Sequence, residues 1–218
     1  MVFSSLIFLF AYLPAVWLIY FIVPRKGKNL VLFLVSLFFY AWGEPIYVAL
    51  MLLSVTLAYF FGLSIWEYRG QCPRRAKLLT VLSVCVSLSF LFFFKYYNFF
   101  ATNLSRLPIA NIPAVAGLAL PIGISFYTFQ IISYTVDVYR GDCEAQRNYI
   151  NFGAYVTLFP QLIAGPIVRY TEIDGQLISR RENVDDFAGG ILRFVVGLSK
   201  KVLMVMPWHR DTSIFATV

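Results

Sequence analysis

Residues 121–140 read P-I-G-I-S-F-Y-T-F-Q-I-I-S-Y-T-V-D-V-Y-R. The stretch is long and apolar enough to enter a membrane, yet it carries Tyr127, Gln130, Ser133, Tyr134 and Asp137. Wound as an α-helix at about 100° per residue, these five fall on one face, extended by Gly123. Ile124, Ile131, Ile132 and Val136 fall on the other, and Phe126 interrupts the stripe slightly. Polar groups at membrane depth are costly, so they face a protein interior or a wet cavity. The stripe predicts an all-α, polytopic membrane protein with a task inside the bilayer.

Composition agrees. Hydrophobic residues make up 60% of the 218 and charged residues 13%, against about 45–50% and about 25% in soluble domains. The net charge of +7 sits in short gaps between apolar runs. That placement follows the excess of Lys and Arg in cytoplasmic loops, and no basic-aromatic patch points to nucleic acid. Cys72, Cys85 and Cys143 are odd in number with no C-x-x-C, so neither a disulfide framework nor a zinc site is implied. A single histidine, His209, excludes a histidine metal cluster.

Leu6–Val23 is an uncharged apolar run near the roughly 20 residues a span needs. The basic stretch 24–28 follows it and predicts an outside N-terminus with this loop in the cytoplasm. Residues 29–43 and 45–66 predict a helical hairpin around Glu44-Pro45. Residues 67–77, with Arg69, Arg74, Arg75 and Lys77, predict a second cytoplasmic loop. Spans are expected at 78–94 and 118–139, joined by an outside loop at 101–117. Residues 149–168 are apolar but hold Pro160, Gln161, Gly165 and Pro166, while Arg169, Arg180 and Arg181 favour the cytoplasm. A re-entrant segment broken at Pro160 or at Gly165-Pro166 satisfies both facts, because broken backbone is tolerated at membrane depth where protein or water satisfies it. Residues 187–206 carry Arg193, Lys200 and Lys201 and predict an interfacial or partly buried helix. No internal repeat or long linker divides the chain, so 1–218 reads as one membrane-embedded domain.

No phosphate-binding loop, zinc-protease or serine-hydrolase motif is present. Chemistry points to two places, the 121–140 stripe and F-P-Q-L-I-A-G-P-I-V-R-Y at 159–170. In the stripe, Tyr127, Ser133 and Tyr134 suit interhelical hydrogen bonding as well as a substrate channel, and so does Gln130. Asp137 suits an ion pair with Arg140 at i+3. The second segment reads either as a kinked helix or as a substrate-lining loop. In the loop reading Gly165-Pro166 frees backbone carbonyls, Gln161 lines the path, and Arg169 receives a phosphate or carboxylate.

These two motifs resemble the membrane-bound O-acyltransferase family, most closely its bacterial alginate O-acetyltransferase branch. M-V-F-S-S at the start, L-F-A-Y-L-P at 9–14, F-F-Y-A-W-G at 38–43 and G-L-S-K-K-V-L at 197–203 resemble it too. The resemblance implies a multi-pass protein of the bacterial inner membrane. It implies acetyl transfer from a cytoplasmic donor, acetyl-CoA or an acyl carrier protein, to hydroxyls of an extracytoplasmic polysaccharide such as alginate. It implies no bound cofactor, and partner proteins of a polysaccharide-modification complex. The same family includes D-alanyl transfer toward teichoic acids, and a non-enzymatic transporter or scaffold is the alternative of another class. The family's base is a histidine in an apolar, tryptophan-bearing stretch of a chain about twice as long. Trp208-His209 makes His209 the candidate here, against its reading as an exposed tail residue. The expectation is a truncated member, inactive alone.

Overall fold

The computed structural model describes residues 5–104, 120–162, 168–180, 182–201 and 203. Gly165, Pro166, Arg181, His209 and most of the predicted 101–117 loop lie outside the described residues. Among those described, every regular element is helical. A π-helical turn at Phe8–Tyr12 leads into α1 (Leu13–Ile22). Then follow α2 (Lys28–Gly43), α3 (Tyr47–Gln71), α4 (Pro73–Leu104) and α5 (Ile124–Arg140). The last four are α6 (Tyr149–Thr157), α7 (Phe159–Leu162), α8 (Tyr170–Ile178) and α9 (Val184–Lys200).

α3 and α4 are each long and apolar enough to cross a membrane, and Phe8–Ile22 is a shorter apolar helix. Large apolar side chains stand exposed on these helices, among them Phe10, Ile22, Phe60 and Leu78. In water such a surface would be a liability at roughly 25 cal/mol per Å². Against lipid it is the expected outer face of a membrane protein.

The second basic loop is shorter than the sequence suggests. Residues 67–71 complete α3, and residues 73–77 form the first turns of α4. Only Cys72, at φ −141° and ψ 82°, interrupts the helix. Pro73 is the cause, because proline fits the first turn of a helix but drives the residue before it out of the α region.

α5 begins at a turn in which the Ile124 N–H donates to the Pro121 carbonyl at 3.2 Å. Gly123 adopts φ +76° there, a conformation open to glycine. A Cβ on Gly123 would also lie 2.7 Å from the Leu162 carbonyl oxygen, so the α5 start and α7 meet backbone to backbone. α5 packs on both arms of the α3–α4 hairpin and runs parallel to α3. Gly62 sits under Tyr134, and seven residues on Arg69 donates to the Val138 carbonyl at 3.2 Å.

The segment after α5 runs in and comes back. α6 descends beside α2, with Asn151 bonded to Asn29 and Gly153 under Phe33. By Leu162 the chain has reached Gly123, at the opposite end of α5 from Arg140. By Tyr170 it has returned, with the Tyr170 hydroxyl accepting from Gln146 at 2.8 Å and its ring 5.1 Å from that of Tyr134. This is the course expected of a re-entrant segment. The helix breaks at Leu158 (φ −52°, ψ 112°), two residues before Pro160. Pro160 has no N–H to give to the Val156 carbonyl, so a continuous helix would lose that bond.

α9 has no buried residue, in keeping with the expected interfacial or partly buried helix. It runs back along α1, with Phe187 5.2 Å from Trp17 and 5.4 Å from Phe21. Further on, Phe194, Leu198 and Lys201 share a cleft with Leu13 and Phe8. Arg193 and Lys201 border this cleft, and Lys200 is exposed.

Candidate functional site

The stripe on α5 does face the protein interior. Tyr127, Gln130, Tyr134 and Asp137 are buried and Ser133 is half-buried. Two of them serve backbone groups. The Tyr134 hydroxyl accepts from the Gln146 N–H at 3.0 Å, and the Gln130 amide donates to the Tyr155 carbonyl at 3.1 Å. The second contact explains how the Leu158 break survives in an apolar setting. In an unbroken helix the Tyr155 carbonyl would receive the Phe159 N–H. Here Gln130 satisfies the carbonyl, and Ser36 Oγ on α2 accepts from the Phe159 N–H at 3.2 Å. Each half of the lost bond is met by a side chain from another helix, as broken backbone requires.

Asp137 does not form the expected pair with Arg140. The residue is 2% exposed and its carboxylate takes a long 3.4 Å contact from Ser133 Oγ, whereas Arg140 is exposed. Arg140 is the last residue of α5, beyond the cover of neighbouring helices. Drawing its guanidinium inward would cost more desolvation than one ion pair returns. The end of α5 is instead closed by Gly141 at φ +89°, whose N–H donates to the Asp137 carbonyl at 2.9 Å. Arg69, stacked 4.8 Å over Trp66, occupies the space a Cβ at Gly141 would need.

Arg169 lies exposed at the start of α8, where its carbonyl accepts from the Glu172 N–H at 3.1 Å and its side chain makes no cap bond. Gln161 is half-buried, and its amide nitrogen is sealed from solvent without a partner there. Tyr155, Gln146 and Tyr170 were not singled out by the sequence, although Tyr170 closes the 159–170 motif and Tyr155 lies just before it. The Tyr155 hydroxyl donates to the Val168 carbonyl at 3.0 Å and fastens the returning strand of chain to α6.

A second polar group sits where α1, α2, α6 and α8 meet. Lys28 pairs with Glu182, and the Tyr20 hydroxyl donates to the same carboxylate at 2.6 Å. Arg180 donates to Tyr20 at 2.9 Å and to Asn29 at 3.2 Å, and Asn29 donates to Asn151 and to the Leu177 carbonyl. The Lys28 ammonium and the Tyr20 hydroxyl hold the Glu182 carboxyl below its usual range. The sequence marked Lys28 and Arg180 only as topological charges. Their joint role depends on the return of α8, which no local pattern encodes.

This group borders a cleft of about 600 Å³ between α1, α6–α7, α8 and α9. Trp17, Phe21, Leu158, Ile173 and Phe187 are among its apolar walls, and Gln176, Arg180, Glu182 and Asp186 among its polar ones. Size and lining suit an elongated apolar ligand with a polar head. Covalent acyl transfer through Cys143 is disfavoured, because burial pushes its thiol up to about 12 and the thiolate is the nucleophile. The described residues hold no histidine and no cluster of metal-ligating side chains.

Comparison with known proteins gives the site its context. The chain is 42% identical over 94% of its length to the probable alginate O-acetylase of Pseudomonas aeruginosa, and 40% identical to that of Azotobacter vinelandii. It is 32% identical, again over 94% of its length, to the peptidoglycan O-acetyltransferase of Helicobacter pylori. The chain spans about 40% of the length of the first two and 44% of the third. Neither a family model nor a solved structure matches it.

Proposed function

The chain is homologous to the alginate O-acetylases, and from that kinship we propose that it forms part of a membrane O-acetyltransferase acting on a polysaccharide. In this reading an acetyl group leaves a thioester donor on the cytoplasmic side, acetyl-CoA or an acyl carrier protein. It forms an ester with a hydroxyl of an extracytoplasmic polymer, for which alginate is the leading case. The observation that carries the reading is the level of identity, 42% over 94% of the chain. The acetyl group is common to the names of both kinds of relative, which favours it over a D-alanyl group.

The described residues suit binding and positioning in this scheme. The cleft lined by Trp17, Phe21 and Phe187, with Arg180 and Glu182 also on its wall, suits a donor arm with a polar terminus. The α5 stripe adjoins this cleft through Gln130, which bonds the carbonyl of Tyr155 on the cleft wall. Taking the acceptor's proton calls for a group of near-neutral pKa such as histidine.

The test is a chimera in which this chain replaces the matching part of the Pseudomonas aeruginosa protein, in a strain deleted for that gene. Restored O-acetyl content of secreted alginate is the expected result. A chimera that reaches the membrane in normal amount yet leaves the polymer unacetylated would refute the proposal.

A further inference from the structure

Two hydroxyls near the Gly123 end of α5 are buried without partners. Tyr127 is 1% exposed and Tyr40, on α2, is 4% exposed. Neither hydroxyl finds a hydrogen bond among the described residues, and the amide nitrogen of Gln161 on α7 shares that condition. A buried polar atom left unpaired destabilises the fold, so each calls for an explanation.

The three belong to elements that converge. Tyr127 is one helical turn from Gly123, and its N–H donates to the Gly123 carbonyl at 3.1 Å. Gly123 lies against Leu162, the residue after Gln161. Phe39, the neighbour of Tyr40, packs on Phe159 of α7 with ring centres 5.5 Å apart. The Tyr40 and Tyr127 hydroxyls lie within electrostatic reach of each other and of Glu44. Tyr40 is likewise one turn from the end of its helix, so the surface is near. There the Glu44 carboxylate accepts from the Ile122 N–H at 2.9 Å and bridges the α2–α3 turn to the α5 turn.

We propose that Tyr40 and Tyr127, with Gln161 on the adjoining element, form a binding site for a neutral hydroxyl-bearing group, which on the acetyl-transfer reading above is a sugar hydroxyl of the acceptor. Tyrosine hydroxyls donate and accept, as does the amide of Gln161, so together they match a group with the same double capacity. The nearby Glu44 carboxylate disfavours a carboxylate seated on the tyrosines themselves, so a uronate presents a hydroxyl there and holds its own carboxylate away. The site lies at the end opposite the basic residues 69–77, which is the outer end by the distribution of charge. Entry would run between the Glu44 and Ile122 turns, which this hydrogen bond joins.

Tyr40→Phe and Tyr127→Phe separate this role from a structural one. Removing an unpaired hydroxyl while keeping the ring leaves the ligand-free protein at least as stable, so the thermal midpoint of either variant should equal or exceed that of the parent. In the chimera above each should raise KM for alginate about fivefold at similar kcat, the worth of one neutral hydrogen bond. With ζ-carbon-labelled tyrosine, the two resonances, identified by their loss in the variants, should shift saturably on addition of tetramannuronate to the 218-residue chain in nanodiscs. A lowered midpoint would show that the hydroxyls already have partners, such as buried water, and would overturn the proposal. An unchanged KM or unmoved resonances would overturn it equally. Absence of acetylation by the unsubstituted chimera would sink the functional reading alone, and the titration would still decide the site.

Discussion

Gly62 makes room for Tyr134. A Cβ at position 62 would lie 2.7 Å from the Tyr134 ring and 2.8 Å from its hydroxyl, and that hydroxyl holds the Gln146 N–H. Tyr134 is fully buried among Phe152 and Tyr170, so it has nowhere to retreat. Gly62→Ala should therefore destabilise by about 1–3 kcal/mol, the usual cost of overpacking, although alanine is the better helix former. A denaturation midpoint equal to or above the parent's would contradict this packing. The carboxylate of Glu182 makes a pH-dependent contribution. Its folded pKa is depressed by Lys28 and Tyr20, so its stabilisation is complete above the ordinary carboxylate range and fades as pH falls through the depressed value. Partial exposure keeps the effect small. The parent should lose its advantage over Glu182→Gln on acidification below about pH 5, and a stability difference independent of pH would remove Glu182 from that role.

At the scale of elements, the break between α6 and α7 is held by two side chains from elsewhere. Gln130→Leu or Ser36→Ala alone strands one buried backbone group, at about 1–3 kcal/mol. Together they strand the Tyr155 carbonyl and the Phe159 N–H, the i and i+4 partners of a continuous helix. The double variant should cost less than the sum of the singles, because the two groups can then pair with each other. Strict additivity in the cycle would show that Gln130 and Ser36 act independently. This coupling marks the limit of what the sequence discloses. The α5 stripe was legible because a 3.6-residue period survives in a single helix, and the re-entrant course was legible because prolines interrupt an apolar run between cationic flanks. Arg140 was misread as the partner of Asp137 because spacing along a helix does not reveal where burial ends. Tyr40, Ser36, Tyr155 and Gln146 were overlooked because each acts on a neighbour 12 to 123 residues away or through its burial. The resemblance carried by 121–140 and 159–170 is borne out by the polysaccharide O-acetylase matches over 94% of the chain.

For the whole molecule, the distribution of charge sets an orientation that labelling can test. Gly43 and Gly70 lie at opposite ends of the hairpin region, and a Cβ at either meets open space. With Cys72, Cys85 and Cys143 replaced, Gly43→Cys should react with a membrane-impermeant thiol reagent in intact cells, whereas Gly70→Cys should require a permeant one. Labelling of Gly70→Cys by the impermeant reagent would invert the topology and with it the assignment of an outer acceptor site.

The one-residue joint at Cys72 has a consequence for how the protein is made. A 25-residue helix and a 32-residue helix meet there with no slack, and their combined apolar surface is satisfied only when both lie in lipid. A growing chain that has delivered α3 to the bilayer has no tether on which to wait before α4 follows. The pair enters as one hinged object. Every later element, α5 included, then assembles against a wall already standing.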